Sequence, residues 1–529
     1  MNASMQADTG SMNMDSLLAR IRQRVAQAGE QACLVADGKA WSYGEMWLDA
    51  RRVASFLRSK GLQQGDRVAL VADNSPQYVA VFYGVLLAGG AVVPMNTNSK
   101  LRDFDNWMAH CGARFAFVDF APREMQKLLQ GERATGFIAT QPRTDGAIPA
   151  PQQAALLADW SDIQSTPVDP AIDENAARAD DLACIIYTSG TTGNPKGVQI
   201  SHGNLLANVT SILAALPIQP GDRFLNVLPF YYSYGNSVLH THIVQGATLY
   251  LENSLMYPHS VVARLQSEAI TGFAGVPSTF ALLLSRGKVS EHDLSSLRYV
   301  LQAGGAMAVP LIREVMEKMS RSLYVMYGQT EATARLTCLP PQRLEEKLGS
   351  VGLPIQGVTI EIRRPDGTLC AVGEEGELYA QGGNVAQGYW DNASATAETF
   401  ISGWLKTGDL GRCDADGFLF LQGRRSDMIK SGANRISPLE IEEVISELPS
   451  IEEVAVVGLP DAVLGQTIAA FVVMKEGQAL DIKAIKKYCL DNLASYKIPK
   501  QIVQMDVLPK TASGKIRKHL LAELIEDKP

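Results

Sequence analysis

Apolar positions along this chain gather into short runs, separated by longer stretches in which apolar residues recur at helical spacing. RVALVA (67–72), AVVPMN (91–96) and FAFVDF (115–120) open the series, which continues with FLNVLP (224–229), TLYLE (248–252), GFAGVP (272–277), RYVLQAG (298–304) and LYVMYG (323–328). Strand-sized runs alternating with helices predict a layered α/β architecture with largely parallel sheets, because a parallel pair needs a long crossover. Past Gly349 the rhythm changes to short alternating runs, TIEIRRPDGTLC (359–370), GELYAQG (376–382) and GFLFLQG (417–423). RPDG and DADG between them are turn signals, and a small β-barrel is predicted to close the large domain. GRRSD (423–427) then serves as a hinge into a small mobile α+β domain, where SPLEIEEVISEL begins a helix with Ser437 as cap and Pro438 at the first position. The expected division is an N-terminal domain of residues 1–425 and a C-terminal lid of residues 426–529.

Three stretches depart from the alternation. YVAVFYGVLLAGGAVVP, Tyr78 to Pro94, is uncharged, but it is shorter than the about 20 residues of a membrane helix and Gly89-Gly90 interrupts it. A buried helix, a turn and a buried strand are predicted there, and no membrane span. Gln141 to Asp181 is rich in Ala, Pro, Asp and Gln and is expected to be a surface excursion. The first sixteen residues lack a basic segment followed by an apolar core, so they are expected to be a frayed tail and not a secretory signal.

A chain of 529 residues is too long for one core. With 46% hydrophobic and 20% charged residues it has the balance of an ordinary globular protein, and its net charge of -8 gives nucleic-acid binding no support. The acid excess lies upstream, since from Arg424 onward 15 basic residues balance 15 acidic ones. Seven cysteines without a CxxC spacing indicate neither a disulfide framework nor a zinc site, and point to a reducing cytoplasm.

The richest chemistry lies in YTSGTTGNPKG, Tyr187 to Gly197. Gly190 and Gly193 leave the backbone free to turn its N–H groups towards an anion, Thr188, Ser189, Thr191 and Thr192 add hydroxyl donors, and Lys196 adds a cation. The apolar run LACIIY (182–187) precedes it and the helical stretch SHGNLLANVTSILAAL (201–216) follows, so a strand, a loop and a helix are expected to cradle nucleotide phosphates. A P-loop is excluded. That motif places Gly-Lys-[Ser/Thr] five positions after its first glycine, where this chain has Pro195, and Gly197 follows the lysine.

Four further motifs occur downstream in a fixed order: YGQTE (327–331), TGD (407–409), GRRSDMIKSGANRISPLEIE (423–442) and PKTASGKIRK (509–518). With the phosphate loop they span Tyr187 to Lys518, and the chain thereby resembles the adenylate-forming superfamily of acyl-CoA synthetases, luciferases and peptide-synthetase adenylation domains. It is most similar to the acyl-CoA synthetases. The N-terminal third, WSYGEMWLDARRVASFLRSKG (41–61) and GDRVALVADNS (65–75), matches in character only.

The resemblance implies ATP, Mg2+ and coenzyme A as cofactors, and an acid activated as its adenylate before thioester formation. It implies that the loop from Thr188 to Lys196 holds the β- and γ-phosphates, with Thr188 and Lys196 taking part in catalysis. Glu331 would ligate magnesium, Thr330 would donate to the α-phosphate, and Gly328 and Gln329 would complete that binding segment. Tyr327 would face adenine, with the backbone of Gly304, Gly305 and Ala306 opposite. Asp409 would accept the ribose hydroxyls, with Arg424 reaching the ribose or phosphates. Lys515 would be the catalytic lysine, bridging the attacking carboxylate and the α-phosphate. Lys430 and Gly432 would belong to cofactor binding, Gly432 lining the pantetheine tunnel where a side chain would block it. Ser426, with Asp427 beside it, holds the pivot position, where many relatives carry Asp or Lys.

PFYYSYGN (229–236) replaces the P-L-F-H-x-x-G pattern common in acyl-CoA synthetases, with Tyr232 where histidine is usual. It lacks the aspartate with which amino-acid activators meet an ammonium. Tyr231, Tyr232, Tyr234, Gly235, Val276, Pro277, Gln302 and Ala303 are the candidate pocket for an aliphatic or aromatic monocarboxylic acid. The thiol acceptor is CoA or, alternatively, an acyl or peptidyl carrier-protein phosphopantetheine; a nucleotide-binding pseudoenzyme is a third reading. His240 and His242 in LHTH stand two apart on a predicted helix and so do not share a face for metal binding.

Overall fold

The computed structural model describes residues 16–120, 123–129, 135–142, 155–172, 177–188, 196–431, 434–461, 464–511 and 514–526. They form two compact units, one from Met1–Ser254, Gln329–Arg335 and Gly382–Phe400, the other from Leu255–Gly328, Leu336–Gln381 and Ile401–Pro529.

The first unit carries a seven-stranded sheet in the order Gly388–Tyr389, Lys196–Ser201, Leu182–Thr188, Ala91–Pro94, Arg67–Val71, Phe115–Val118, Gly136–Ala139. From Leu182–Thr188 onward every pairing is parallel. These strands are buried almost throughout, as expected of parallel strands covered on both faces. The uncharged stretch folds as predicted, into the helix Pro76–Ala88, a left-handed Gly89 (φ 88°) and the strand Ala91–Pro94. The helix is apolar all round because it is covered all round. At Gly84 a Cβ would stand 2.7 Å from the Ala50 carbonyl, so only glycine lets the helix Tyr43–Ser59 approach this closely. No helix among the described residues is long and apolar enough to cross a membrane. The unit also holds strands in the order Arg223–Asn226, Thr248–Leu251, Ala32–Ala36, Lys39–Ser42.

The stretch 141–181 is more than surface. Its described part forms the helix Trp160–Ser165, capped by Asp159, and buries Trp160 and Ile163, which its polar composition concealed.

The second unit contains strands in the order Leu353–Pro354, Thr337–Leu339, Leu323–Tyr327, Tyr299–Gln302, Gly272–Gly275, the last three parallel. The small barrel expected after Gly349 is a half-barrel sheet. Its path runs Val358–Arg363, Gly376–Gly382, Trp404–Cys413, Phe400–Ile401, with Leu419–Arg424 also on Trp404–Cys413. The RPDG and DADG turns fall where predicted, with Gly367 at φ 87° and Gly417 at φ 83°. The smaller C-terminal domain is a sheet in the order Asn434–Ile436, Ile429–Ser431, Gly465–Met474, Ile451–Asp461, with Gln501–Gln504 parallel to Gly465–Met474. Side chains alternate across Gly465–Met474. Ile468, Ala470 and Val472 pack with Ile441 and Ile445 of the helix Pro438–Ser446, while Ala469, Phe471 and Val473 pack with Leu521 of the helix Lys518–Glu526. Ser437 caps Pro438–Ser446 as the sequence predicts, accepting from the Glu440 amide.

His240 and His242 are core residues of the helix Ser233–Gln245. Tyr83 Oη lies 3.0 Å from His240 Nδ1, and His242 Nδ1 lies 2.8 Å from the Val238 carbonyl. Burial pulls His240 down to about 3, and His242 and His202 down to about 4. Each is neutral in the folded chain and takes up a proton on unfolding below its ordinary value of 6.5. Their contribution is therefore intact above about pH 6.5 and declines as pH falls towards the folded values. The wild-type melting temperature should fall between about pH 6.5 and 5, and should fall less steeply in His240→Gln. Parallel curves for the two proteins would contradict this.

Candidate active site

The first unit assembles one cluster. Leu182–Thr188 and Lys196–Ser201 pair antiparallel, with Thr188 opposite Lys196 and its hydroxyl donating to the Lys196 carbonyl at 3.4 Å. Ser189, Gly190, Thr191, Thr192 and Gly193 lie outside the described residues. The strand–loop–helix reading needs correction here, because the loop returns as a second strand. β-Branched Val198 and Ile200 are buried opposite Ile186 and Cys184, and the helix His202–Ala215 starts only after Ser201, which caps it in a box with Asn204.

The other edge of Lys196–Ser201 pairs with Gly388–Tyr389, Tyr389 opposite Val198. Lys196 Nζ lies 4.9 Å from the centroid of the Tyr389 ring, and Tyr389 Oη donates to Glu331 Oε1 at 2.9 Å. Glu331 belongs to the single 3-10 turn Thr330–Ala332, its carbonyl accepts from the Ala386 amide, and Thr330 Oγ1 lies 3.1 Å from Ser233 Oγ. Two residues beyond Glu331, Thr333 adopts φ 63°, ψ -52°, and the Ala334 amide donates to the Ala332 carbonyl at 2.7 Å. This γ-turn is strained for a β-branched residue. Asn384 holds it, accepting from Thr333 Oγ1 at 2.7 Å and donating from Nδ2 to the Ala332 and Arg335 carbonyls.

The second unit assembles another cluster. Tyr327 ends the strand Leu323–Tyr327 and donates to Asp409 Oδ2 at 2.5 Å. Asp409 stands opposite Arg424 in the hairpin, with Arg424 Nε 3.4 Å from Asp409 Oδ1. The Asp409 amide donates to Thr407 Oγ1, which in turn donates to the Leu378 carbonyl. Burial and then the Asp409 charge push the Tyr327 phenol well up, so it remains a donor. Beside Asp409, Gly408 (φ 75°) faces open space. Gln302 is buried, and its Nε2 donates to the Gly305 carbonyl at 2.8 Å, bracing the turn at Gly304 (φ 87°). Its Oε1 has no partner among the described residues, and neither has Gln329 Nε2 in the first unit.

At the far end of the chain, Thr511 and Lys515 close a turn by the bond from the Thr511 amide to the Lys515 carbonyl at 2.7 Å. Gly514 (φ 80°) packs on the start of the helix Pro277–Arg286, where a Cβ would stand 2.6 Å from Ser278 Oγ and 2.9 Å from Val276 Cγ2. Lys515 is exposed, as is Lys430, whose amide donates to Gln466 Oε1. Ser426 and Asp427 form the turn after Arg424, with Ser426 Oγ donating to Asp427 Oδ1 at 2.9 Å and the Asp427 amide to the Arg424 carbonyl. Gly432 lies outside the described residues.

Among the acid-pocket candidates, the Tyr231 and Tyr232 rings are 4.7 Å apart and Asn96 Nδ2 donates to Tyr232 Oη. Tyr234 is buried, with the Arg335 guanidinium 4.1 Å from its ring centroid. A Cβ on Gly235 would come within 2.1 Å of the Pro229 carbonyl, which explains glycine there. In the other unit, Val276 is the N-cap of Pro277–Arg286, and Ala303 is buried after the strand Tyr299–Gln302. Sequence reading missed Tyr389, Asn384 and Arg335. The signal available for Tyr389 was the tyrosine of QGYW, lying between the YGQTE and TGD motifs.

The fold, a large α/β N-terminal domain followed by a small C-terminal one, together with the relatives that follow, defines an AMP-forming acid–thiol ligase. The chain belongs to the AMP-binding enzyme family, whose profile matches residues 21–390, and the profile of the AMP-binding enzyme C-terminal domain matches residues 440–515. It is 32% identical over 503 residues to the 2-succinylbenzoate–CoA ligase of Bacillus licheniformis, covering 95% of this chain and 98% of that one. It is 32% identical over 493 residues to the indoleacetate–CoA ligase of Aromatoleum aromaticum, covering 92% and 94%. Among solved structures it resembles the o-succinylbenzoate CoA synthetase of Bacillus subtilis in complex with the acyl-adenylate OSB-AMP, with TM-score 0.81, 29% identity and coverage of 95% and 97%.

Proposed function

We propose that the chain is an ATP-dependent, AMP-forming ligase that joins a carboxylic acid to coenzyme A through an acyl-adenylate. The observation carrying this reading is the Tyr327–Asp409–Arg424 arrangement, a buried carboxylate held by a phenol and a guanidinium beside an open glycine, suited to accept a ribose diol. In the same unit the unpartnered Gln302 Oε1 adds a buried polar atom that a nucleotide would satisfy. Glu331 fits a divalent cation, since Tyr389 occupies only one of its oxygens among the described residues. Magnesium bound there would neutralise charge on the phosphates.

A carboxylate attacking a triphosphate brings two anions together, so fixed cations and oriented donors must offset their repulsion. In this reading Lys196, Thr188 and the loop they bound, Ser189 to Gly193 included, hold the departing pyrophosphate. Thr330 and Lys515 stabilise the α-phosphate, and Tyr327 with Gly304, Gly305 and Ala306 holds adenine. The lid begins at residue 426, in the turn of Ser426 and Asp427, and Lys430 and Gly432 belong to it. The thiol then displaces AMP from the acyl carbon, leaving a thioester.

Ring-bearing acids are the first candidates for the pocket, because the named relatives act on 2-succinylbenzoate and indoleacetate and this chain supplies Tyr231, Tyr232 and Tyr234. The absence of cysteine pairing signals favours a cytoplasmic enzyme. The test is pyrophosphate release over a panel of aryl and aliphatic acids, repeated with CoA and with a holo-carrier protein. Thioester formed on CoA is expected. Transfer to the carrier alone would shift the reading to a freestanding adenylation enzyme, and no AMP release from any acid would revive the pseudoenzyme.

A further inference from the structure

We infer that Tyr389 is a positioning residue for the adenylation step, setting both the Glu331 carboxylate and the Lys196 ammonium from one side chain. This rests on the ligase reading above and goes beyond it, since neither contact is encoded in the motifs that suggested that reading.

The segment 383–390 grips the two phosphate-side elements at once. Towards Lys196–Ser201 it makes backbone bonds, from the Gln387 amide to the Gln199 carbonyl at 3.0 Å and from the Trp390 amide to the Gly197 carbonyl at 2.7 Å. Towards the Glu331 turn it makes the Ala386 amide bond to the Glu331 carbonyl and the Asn384 bonds that hold strained Thr333. Asn204 Nδ2 fastens the segment from below, donating to the Gly383 and Val385 carbonyls at 2.8 Å each. Tyr389 lies where the two grips meet. Its backbone is paired with the lysine-bearing strand, its ring accepts the lysine's charge, and its hydroxyl donates to the carboxylate.

The side chain is almost wholly buried, at 6% exposure, and its ring packs edge-on against Phe400 at 5.6 Å between centroids. The phenol is therefore held in place, and it removes one of the orientations Glu331 could adopt. A carboxylate with one oxygen engaged by a fixed donor presents the other in a defined direction, and such outer partners typically contribute about 10–100-fold in metal affinity or activity. The ring acts separately. A cation over an aromatic face keeps its charge while its position is restricted, so Lys196 is aimed without being neutralised.

These two actions come apart in two variants. Tyr389→Phe keeps the ring under Lys196 and removes the donor to Glu331, whereas Tyr389→Leu removes both. In Tyr389→Phe the magnesium concentration for half-maximal ATP binding, measured by calorimetry, should rise about tenfold. Pyrophosphate–ATP exchange at saturating magnesium should recover towards wild type, and the melting temperature should stay unchanged. Tyr389→Leu should also raise the KM for ATP at saturating magnesium, and in the Glu331→Gln background Tyr389→Phe should add nothing. An unaltered magnesium dependence in Tyr389→Phe, or additive effects with Glu331→Gln, would overturn the inference. Magnesium-dependent ATP binding by the wild type without exchange for any acid would instead refute the ligase reading, and the binding comparison would still decide the role of Tyr389.

Discussion

Pyrophosphate–ATP exchange by Lys515→Ala is expected to fall by at least about 10²–10³-fold, the loss typical of one electrostatic contact to a transition state. Thioester formation from a chemically supplied acyl-adenylate should persist, since by then the α-phosphate has already been substituted. The turn from Thr511 to Lys515 packs through Gly514 on the start of Pro277–Arg286. That packing gives the prediction a second arm. Gly514→Ala would place a Cβ 2.6 Å from Ser278 Oγ and force a side chain into a backbone conformation with φ 80°. It should therefore depress the adenylation step while leaving Lys515 in place. Wild-type exchange by Lys515→Ala would remove the lysine from the mechanism, and an unimpaired Gly514→Ala would show that this packing is not needed for it.

The second large effect is expected at Asp409. Hydrogen bonds to a charged group contribute about 1.5–3 kcal/mol each. Losing both ribose contacts in Asp409→Ala should then raise the KM for ATP by about 10²-fold or more. The sharper measurement pairs the variant with 2′,3′-dideoxy-ATP. Wild type should discriminate strongly against the dideoxy nucleotide, and Asp409→Ala should treat the two nucleotides alike. Discrimination that survives the substitution would mean that the diol is bound elsewhere. Tyr327 and Arg424 both lose their contact with residue 409 in this variant, so a companion Asp409→Asn, which retains a polar acceptor, separates ribose recognition from local unfolding.

Much of this fold was legible in order and type. The buried run at Tyr78, the turn glycines at Gly367 and Gly417 and the cap at Ser437 each follow from local chemistry, namely apolar continuity, positive φ and an orphan amide at a helix start. The segment that follows the candidate phosphate loop was not legible as topology. KGVQIS is short enough to be taken for part of a loop, and only pairing with Leu182–Thr188 and Gly388–Tyr389 makes it a strand. Trp160 was hidden for a similar reason, since a polar composition does not reveal one buried anchor.

The site divides in the same way. Candidates whose proposed roles depend on their own functional group and neighbours in sequence, such as Lys196, Glu331, Asp409 and Lys515, are proposed from motifs alone. Those motifs also carry the proposal for what happens to ATP and leave the acid open. What the tertiary structure decided is which distant groups hold these residues in position. Tyr389 reaches Glu331 from 58 positions away, Tyr327 reaches Asp409 from 82, and Asn384 secures the strained Thr333 from 51. A sequence carries the identity of a donor and an acceptor but no distance between them. Hydrogen bonds form only within about 3.5 Å, so such contacts come into existence when strand pairing and packing bring remote segments together.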